Sequence, residues 1–271
     1  MSQYHHRPII KTTNTRYGPM TYYTDDPSIG RSLEVYGEYC HPEIEQILSM
    51  VNKDTVYLDI GANIGTHSIS IAPYVQHVHA WEPDDHNYYL LEINTKPHGN
   101  ITVSHKAISD NKAFGYTEFD FGKTKFIEQP GEKTRRSKTL DGYSMDKIDF
   151  IKLDTEGYEY RILQGMGYTL THLKPDMLIE MQDETSYSKI YDYLTIFDYY
   201  MYWLPVPTFN PNNFKHETVD VFGPQHGVIN WICSSKQLNT TLQPVVDRDD
   251  TVERMNWRIQ NNVGHDTEHG E

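Results

Sequence analysis

Short apolar runs recur along most of this sequence, and segments with a helical spacing of apolar residues separate them. A short run that is apolar throughout is typical of a parallel strand buried on both faces, and the segments between suit helices that cover those faces. The pattern predicts strands over residues 56–60, 78–80, 101–106, 150–154, 177–181, 199–204 and 228–234. Because strands and helices alternate, the predicted fold class is α/β with a doubly wound, mostly parallel sheet.

The two ends of the sequence lack this regularity. The first predicted helix begins at His41 and Pro42, where proline suits the first helical position, and a later one begins at Asp84, which suits an N-cap. The C-terminal residues are polar and acidic, and we expect them to fray. The sequence therefore divides into an irregular N-terminal arm over residues 1–35 with one short hairpin over 16–24, a domain over 36–240 and a polar C-terminal tail over 241–271.

A turn with two glycines follows the first of these strands. The strand ends in Asp59 and Ile60, and residues 61–65 read Gly-Ala-Asn-Ile-Gly before a helix expected to begin at about Thr66. Glycine lets the backbone turn sharply and approach a ligand closely. The second strand is followed by Glu82, where a carboxylate can accept hydrogen bonds from both hydroxyls of a ribose. Together these features indicate a cradle for a nucleotide-like ligand.

Asp59 discriminates between nucleotide-like ligands. A dinucleotide fingerprint has three glycines, G-x-G-x-x-G, and holds a pyrophosphate at the helix start, whereas this turn has two glycines and a carboxylate that repels a pyrophosphate. The same carboxylate can pair with an ammonium group. S-adenosylmethionine has an amino acid and a sulfonium in place of phosphates, so the turn favours it over NAD or FAD. A phosphate-binding G-x-x-x-x-G-K-[ST] loop is absent from the sequence.

A second group of motifs agrees with this ligand. Thr139-Leu140-Asp141 is followed by residues 148–159, which read I-D-F-I-K-L-D-T-E-G-Y-E, and then by L-Q-G at 163–165. With the glycine turn and the Glu-Pro after the second strand, these segments closely resemble the signature of FkbM-type methyltransferases. The resemblance extends over roughly residues 36–234, and Thr155 departs from it because small apolar residues are usual there.

The resemblance implies a Rossmann-like class I methyltransferase sheet, whose last two strands form an antiparallel edge. In such a fold the glycine turn frames the methionine end of S-adenosylmethionine, Glu82 meets the ribose, and small or apolar residues after the third strand face the adenine. By resemblance alone, Glu38 reaches over the cofactor. The cofactor-binding residues implied are Glu38, Asp59, Gly61, Asn63, Gly65, Glu82, Ala107 and Ile108.

Three carboxylates fall where two strands of the sheet end. Asp154 ends the fourth strand, Glu156 lies in the following loop, and Glu180 ends the fifth. Ligands of such sheets bind beyond the carboxyl ends of the strands. Because neighbouring strands lie about 5 Å apart, Asp154 and Glu180 can face one site. Two close carboxylates either raise the pKa of one, which gives a base, or bind a divalent cation, Mg²⁺ or Mn²⁺. Asp154 is favoured in either role, whereas Glu156 is catalytic or simply complements a helix dipole.

Net charge limits the partners of the protein. The 271 residues have a formal net charge of −14, which argues against an extended nucleic-acid surface. An exception is the basic segment 123–138, which is either a solvated loop, the plainer interpretation, or a flap that attracts an anionic substrate such as a sugar nucleotide or an acidic glycan. Two distant cysteines, no signal-peptide pattern and no long apolar run predict a cytoplasmic protein without a membrane segment.

The sequence therefore predicts an enzyme that uses S-adenosylmethionine to methylate a hydroxyl of a sugar, a glycan or a small natural product. Three alternatives stay open: a nicotinamide-dependent oxidoreductase, a nucleic-acid 2′-O-methyltransferase, and a non-catalytic binding module on the same fold. The missing third glycine and Asp59 weigh against the first, and the acidic net charge weighs against the second. The intact set of Asp59, Glu82 and Asp154 weighs against the third.

Overall fold

Seven strands form the central sheet, in a computed structural model that describes residues 9–128, 135–182, 184–224 and 226–260. In chain order the strands are β1 (Ile10–Thr15), β2 (Gly18–Tyr23), β3 (Val56–Ile60), β4 (His77–Trp81), β5 (Ile101–Ser104), β6 (Ala107–Ile108), β7 (Phe114–Glu118), β8 (Lys125–Glu128), β9 (Arg135–Lys138), β10 (Phe150–Leu153), β11 (Asp176–Glu180), β12 (Tyr200–Pro207) and β13 (Gly227–Ser234). The helices are α1 (Ile29–Val35), α2 (His41–Leu48), α3 (Thr66–Ile71), α4 (Asp85–Thr95), α5 (Glu159–Gln164), α6 (Glu184–Thr195) and α7 (Val252–Gln260). Within the described ranges, none of these helices has the length and apolar character that a membrane span requires.

The central sheet has the strand order β12-β13-β11-β10-β3-β4-β5. Strands β11, β10, β3, β4 and β5 are parallel to one another, whereas β12 and β13 form an antiparallel edge. The chain runs outward from β3 to β5 and then returns to β10 on the other side of β3, so the strand order reverses between β3 and β10. The predicted doubly wound sheet with an antiparallel edge is confirmed.

Helices cover both faces of this sheet because side chains alternate along each strand. Leu58 and Ile151 face one side, where α5 and α6 contribute to the same core. Tyr57 and Phe150 face the other side together with side chains of α2, and their stacked rings have centroids 5.7 Å apart. Burial on both faces explains why these strands are mostly apolar, with Asp59 and Lys152 as buried exceptions. It also leaves the carboxyl ends of the strands as the place where polar side chains can gather.

The short hairpin predicted over residues 16–24 is present but begins earlier, at Ile10, and the N-terminal segment is otherwise more regular than expected. Strands β1 and β2 form an antiparallel hairpin, and α1 follows it. Met20 and Tyr22 are fully buried, and the side-chain amide of Asn94 on α4 bonds to both the backbone N–H and the carbonyl of Thr21. The arm expected to be irregular over residues 1–35 is thus a packed hairpin and helix from residue 10 onward. Residues 1–8 lie outside the described part.

The C-terminal segment packs on the domain as well, contrary to the fraying tail expected over residues 241–271. Val245 and Met255 are buried, and the indole N–H of Trp203 donates to Asp250 over 3.1 Å. This stretch covers one face of β12 and ends in α7. Residues 261–271 lie outside the described part.

The basic segment 123–138 belongs to a second sheet. This sheet has four strands in the order β6-β9-β7-β8. Strands β8 and β9 contain half of the basic segment, and residues 129–134 lie outside the described part. The strand predicted over 101–106 ends at Ser104, and Ala107 and Ile108 form the separate strand β6, which pairs with β9. Most of the described residues of the basic segment therefore form strands of a sheet rather than a solvated loop.

Candidate active site

A cleft lies at the carboxyl ends of the parallel strands. The space between its walls, which includes open solvent, is about 830 Å³. Its walls come from the loops after β3, β4, β10 and β11, from the second sheet, and from Ile29 and Tyr39 near the N-terminus. The cleft therefore spans the point at which the strand order reverses, where open α/β sheets bind their ligands.

The turn after β3 is locked to Glu82. Gly61 (φ 87°) and Asn63 (φ 51°) have left-handed backbones, which glycine adopts freely and asparagine tolerates. One carboxylate oxygen of Glu82 accepts the N–H of Asn63 over 2.9 Å, and the other accepts the N–H of Asp84 over 2.8 Å. Because Glu82 also lines the cleft, its carboxylate both anchors the turn and forms part of the wall.

Glu82 is almost completely buried, and this changes its titration. Burial raises the pKa of Glu82 to about 8, although the two backbone N–H groups oppose the rise. Hydroxyl groups that donate hydrogen bonds to this carboxylate favour its ionised form. The binding of such a ligand is therefore linked to the loss of a proton.

Asp59 and Gly65 lie behind this turn rather than in the cleft wall. Oδ2 of Asp59 accepts the hydroxyl of Ser68 over 2.6 Å, while Oδ1 is buried without a hydrogen-bond partner among the described residues. Gly65 (φ 93°) precedes the first residue of α3. Both residues shape the turn from inside, whereas Gly61 and Asn63 of the same motif reach the cleft.

An apolar wall faces the turn across the cleft. Ala107 and Ile108 line it, at the place that the resemblance implied. Asn87 of α4 lines it too, and its Oδ1 is buried without a partner within the described ranges. The side-chain amides of Asn63 and Asn87 both donate to the carbonyl of Phe121, over 3.2 and 3.1 Å. These bonds tie the glycine turn and α4 to the chain segment that leads into β8.

Three carboxylates form the floor of the cleft, and we call them the acidic floor: Asp154, Glu156 and Glu180. One carboxylate oxygen from each lies within 4.8 Å of the others, so the structure brings together the residues that the strand ends indicated. Lys152 of β10 is 2% exposed, and its Nζ lies 2.7 Å from Oδ2 of Asp154. This buried ammonium adds one positive charge to the acidic floor.

The three carboxylates titrate differently. Burial pushes the pKa of Asp154 upward, but the Lys152 ammonium and hydrogen bonding with Glu180 outweigh burial and hold that pKa below its usual range. Burial and the charge of Asp154 raise the pKa of Glu180 well above its usual value. Burial, with the charges of Asp154 and Glu159, raises the pKa of Glu156 to about 8. Asp154, which the sequence favoured as the base, is therefore the weakest base of the three.

Backbone geometry directs Glu156 towards the cleft. Glu156 (φ 57°) and Gly157 (φ 99°) are consecutive left-handed residues at the end of the loop after β10. Oε1 of Glu159 accepts the backbone N–H of Thr155 over 2.7 Å and its hydroxyl over 2.9 Å. Glu159 thus stabilises the loop, and the threonine that departs from the family pattern uses its hydroxyl in that bond.

Glu38 is not part of the cleft wall, in contrast to the reach over the cofactor that the resemblance implied. One of its carboxylate oxygens accepts Nε of Arg16 over 2.7 Å and the N–H of Phe214 over 2.9 Å. The other accepts the side-chain amide of Asn210 over 2.7 Å. Glu38 therefore ties the N-terminal hairpin to the loop after β12, and its neighbour Tyr39 lines the cleft instead.

The sequence argument missed several polar residues of the wall, among them Tyr39, His67 and Lys152. Lys152 carried a signal, because a lysine inside an apolar strand is buried and needs a partner of opposite charge. Nε2 of His67 lies 3.0 Å from Oε1 of Glu43, with both side chains almost fully buried. That pair has no local signal, since the contact between α2 and α3 exists only in the folded chain.

The strand order, the antiparallel edge and the glycine turn are those of a Rossmann-like methyltransferase fold. The sequence profile of the methyltransferase FkbM domain matches residues 59–201, just over half of the chain. The chain belongs to this family.

Individual relatives are distant. The hexuronic acid methyltransferase AglP of Haloferax volcanii is 25% identical over 135 residues, which cover 47% of this chain and 56% of that protein. The chain thus matches little more than half the length of this curated relative. A methyltransferase FkbM structure from Methylobacillus flagellatus KT is 19% identical, with a TM-score of 0.47 over 66% of this chain and 43% of that chain. M. jannaschii TYW2, in complex with AdoMet, is 13% identical, with a TM-score of 0.45 over 85% and 89%.

Family membership implies S-adenosylmethionine as the methyl donor, and the residues of the cleft fit this compound. Glu82 presents a buried carboxylate to the cleft, as a ribose requires, and Asn87 contributes a buried oxygen that has no partner within the described ranges. Ala107 and Ile108 offer an apolar surface to a base. Once Glu156 is ionised, the acidic floor has a net negative charge that suits a cationic sulfonium.

We expect Lys152→Met to destabilise the protein by about 3 kcal/mol at pH 7, because it leaves Asp154 without its buried counter-charge. The lowered pKa of Asp154 contributes stability that is present above the unfolded-state pKa and is lost as the pH falls through the folded-state pKa. The difference between wild type and variant should therefore shrink as the pH is lowered below about 4. Urea unfolding at several pH values measures it.

Lys147→Met is the matched control, because Lys147 pairs with Asp149 at 3.5 Å but its side chain is 48% exposed. Its cost should stay below about 1 kcal/mol. Equal costs for the two variants would contradict the role assigned to the Lys152 ammonium.

Proposed function

We propose that the protein transfers the methyl group of S-adenosylmethionine to a hydroxyl of a sugar, a glycan or a small natural product. The observation that carries this proposal is that one cleft contains two half-sites, the turn anchored by Glu82 and the acidic floor. The hexuronic acid methyltransferase of H. volcanii supports a sugar as the acceptor. Carboxylates at the strand ends support a hydroxyl, because this weak nucleophile needs a base.

The proposed cofactor half-site consists of the turn after β3, Glu82 and β6. Glu82 receives the ribose hydroxyls, and Ala107 and Ile108 pack against the adenine. Gly61 and Asn63 meet the methionine end, with the rest of the motif supporting the turn from behind. When bound, S-adenosylmethionine supplies an electrophilic methyl group on a positively charged sulfur.

The proposed acceptor half-site is the acidic floor. Asp154 is ionised beside Lys152 and accepts a hydrogen bond from the acceptor hydroxyl. Glu180 keeps its own proton and positions Asp154, as its raised pKa favours. Glu156 takes the proton of the hydroxyl, because its pKa of about 8 suits a base that works near neutral pH.

A metal-free reaction is the simpler proposal for this floor. The three carboxylates are close enough to hold a divalent cation, which was the alternative role foreseen for Asp154 and Glu180. The Lys152 ammonium already lies 2.7 Å from Asp154, however, and it would repel a second cation there. Removal of the proton by a carboxylate needs no further charge.

The experiment that tests the function is methyl transfer from isotopically labelled S-adenosylmethionine to a panel of sugars, glycans and small alcohols. With an acceptor in hand, kcat/KM should rise with pH to a plateau above about 8, as Glu156 ionises. Glu156→Gln should abolish this rise and lower kcat by about 10²-fold or more, and Asp154→Asn should also lower kcat. Both variants should retain affinity for S-adenosylhomocysteine.

The matched control is Glu92→Gln, which changes an exposed carboxylate on α4 and should leave the pH profile intact. Turnover by Glu156→Gln with an unchanged profile would remove Glu156 from the reaction, and the absence of labelled product from every acceptor would count against methyl transfer to a hydroxyl.

A second prediction concerns the cofactor half-site. Because ribose hydroxyls favour ionised Glu82, affinity for S-adenosylhomocysteine should increase by up to about tenfold per pH unit as the pH rises towards 8, and then level off. Calorimetry in buffers of different ionisation enthalpy should detect the released proton. Glu82→Gln should bind more weakly and lose the pH dependence. Binding of NAD in preference to S-adenosylhomocysteine would contradict the cofactor assignment.

A third prediction separates the base from the metal alternative. We expect exhaustive chelation with EDTA, followed by gel filtration, to leave turnover unchanged, because Lys152 supplies the cation that the acidic floor needs. Activity that is lost on chelation and restored by Mg²⁺ or Mn²⁺ would instead show that the acidic floor works with a metal.

A further inference from the structure

Three lysines edge the cleft on the side of the second sheet, and we call them the lysine rim: Lys106, Lys123 and Lys125. Lys106 is part of the cleft wall beside β6, and Lys123 and Lys125 flank Thr124, which also lines the cleft. All three side chains are exposed. In a chain with a formal net charge of −14, the lysine rim is a local reversal of sign.

Three acidic side chains of this region are already engaged with arginines, whereas Glu118 lies opposite Lys125 in the β7–β8 pair. Arg161 lies 2.9 Å from Asp110 and 3.0 Å from Glu128, and Arg135 pairs with Asp85. Over the described ranges, the lysine rim forms no ion pair within 4.0 Å. Its positive charge is therefore available to a ligand at the mouth of the cleft.

The cleft also has an aromatic part, next in sequence to both charged regions, because Phe126 follows Lys125 and Tyr158 lies two residues after Glu156. Phe126 and Tyr158 line the cleft, with ring centroids 5.6 Å apart and planes at 85°. An apolar ring surface with polar groups on either side suits a sugar ring, which has C–H faces and hydroxyl edges. Rim and floor are also within electrostatic reach, since Lys125 and Lys123 partly oppose the rise in the pKa of Glu156.

We propose that the acceptor is an anionic sugar, whose negative group lies on the lysine rim while one of its hydroxyls reaches the acidic floor. This inference rests on the proposed function, because it places the acceptor in the same cleft. The lysine rim orients the sugar by attracting its anionic group, and the floor repels that group once Glu156 is ionised. A ring carboxylate and a sugar phosphate share this chemistry, and the two are separated by experiment.

The test measures the binding of small sugars to the protein saturated with S-adenosylhomocysteine. D-glucuronate, glucose 1-phosphate and neutral D-glucose are titrated by NMR at low and high salt. At low salt we expect at least one of the anionic sugars to bind about tenfold tighter than glucose, and this preference to fall as salt screens exposed charges. Comparison of the two anions shows whether a carboxylate or a phosphate is preferred.

The decisive variant is Lys106→Gln/Lys123→Gln/Lys125→Gln. It should lose most of the tenfold preference for the anionic sugar, at about twofold per lysine, and keep its binding of glucose. The matched control, Lys53→Gln/Lys96→Gln/Lys236→Gln, changes the net charge equally at exposed positions outside the cleft wall and should retain the preference. Thermal unfolding shows that both variants are folded.

Anionic sugars that bind no tighter than glucose, or a preference that survives in the rim variant, overturn the proposal. Failure of the proposed function is distinct. The proposed function would fail if the protein did not bind S-adenosylhomocysteine before sugar is added, or if no acceptor gave labelled product. The binding of sugars is measured without turnover. The charge preference of the lysine rim is therefore tested independently of methyl transfer.

Discussion

The buried ammonium of Lys152 is the charge on which both halves of the site depend. The register of β10 and β3 places Lys152 directly beside Asp59, and its Nζ reaches Asp154 at the end of its own strand. Burial alone would lower the pKa of Lys152, but the carboxylates of Asp154, Asp59 and Glu43 reverse this effect and raise it. One cation thus balances acids behind the glycine turn and acids on the floor of the cleft.

This balance is incomplete, and the remaining negative charge selects the ligands. Once Glu156 ionises, the acidic floor has more negative charge than Lys152 can neutralise, and Glu82 adds a further carboxylate to the wall. Such a field stabilises a bound sulfonium, whereas it destabilises a bound pyrophosphate. Asp59 led to the same conclusion from sequence, although it lies behind the turn and acts through the protein rather than by contact.

The central sheet and the acidic floor could be predicted from the sequence because both depend on local pattern. A strand buried on both faces is apolar throughout, and the residue that follows it, such as Asp154, must lie at the edge where ligands bind. The rest depends on pairs that are distant in the chain. Glu38 bonds to Asn210, and Asn94 satisfies the backbone of Thr21, yet these polar residues look no different in sequence from solvated ones. The terminal segments therefore read as irregular although they pack on the domain.

The two half-sites are in direct backbone contact, and this contact fixes the distance between them. A Cβ at Gly61 would lie 1.8 Å from the carbonyl oxygen of Asp154, and the N–H of Asp154 donates to Ile60 over 3.1 Å. Methyl transfer requires the donor and the hydroxyl to be held in line at a fixed separation. Because neighbouring strands set this contact, the cofactor turn and the acceptor carboxylates cannot drift apart. Asn63 and Glu156 have left-handed backbones, which are locally strained, and the rigid pair of strands holds them in place. Both residues line the cleft.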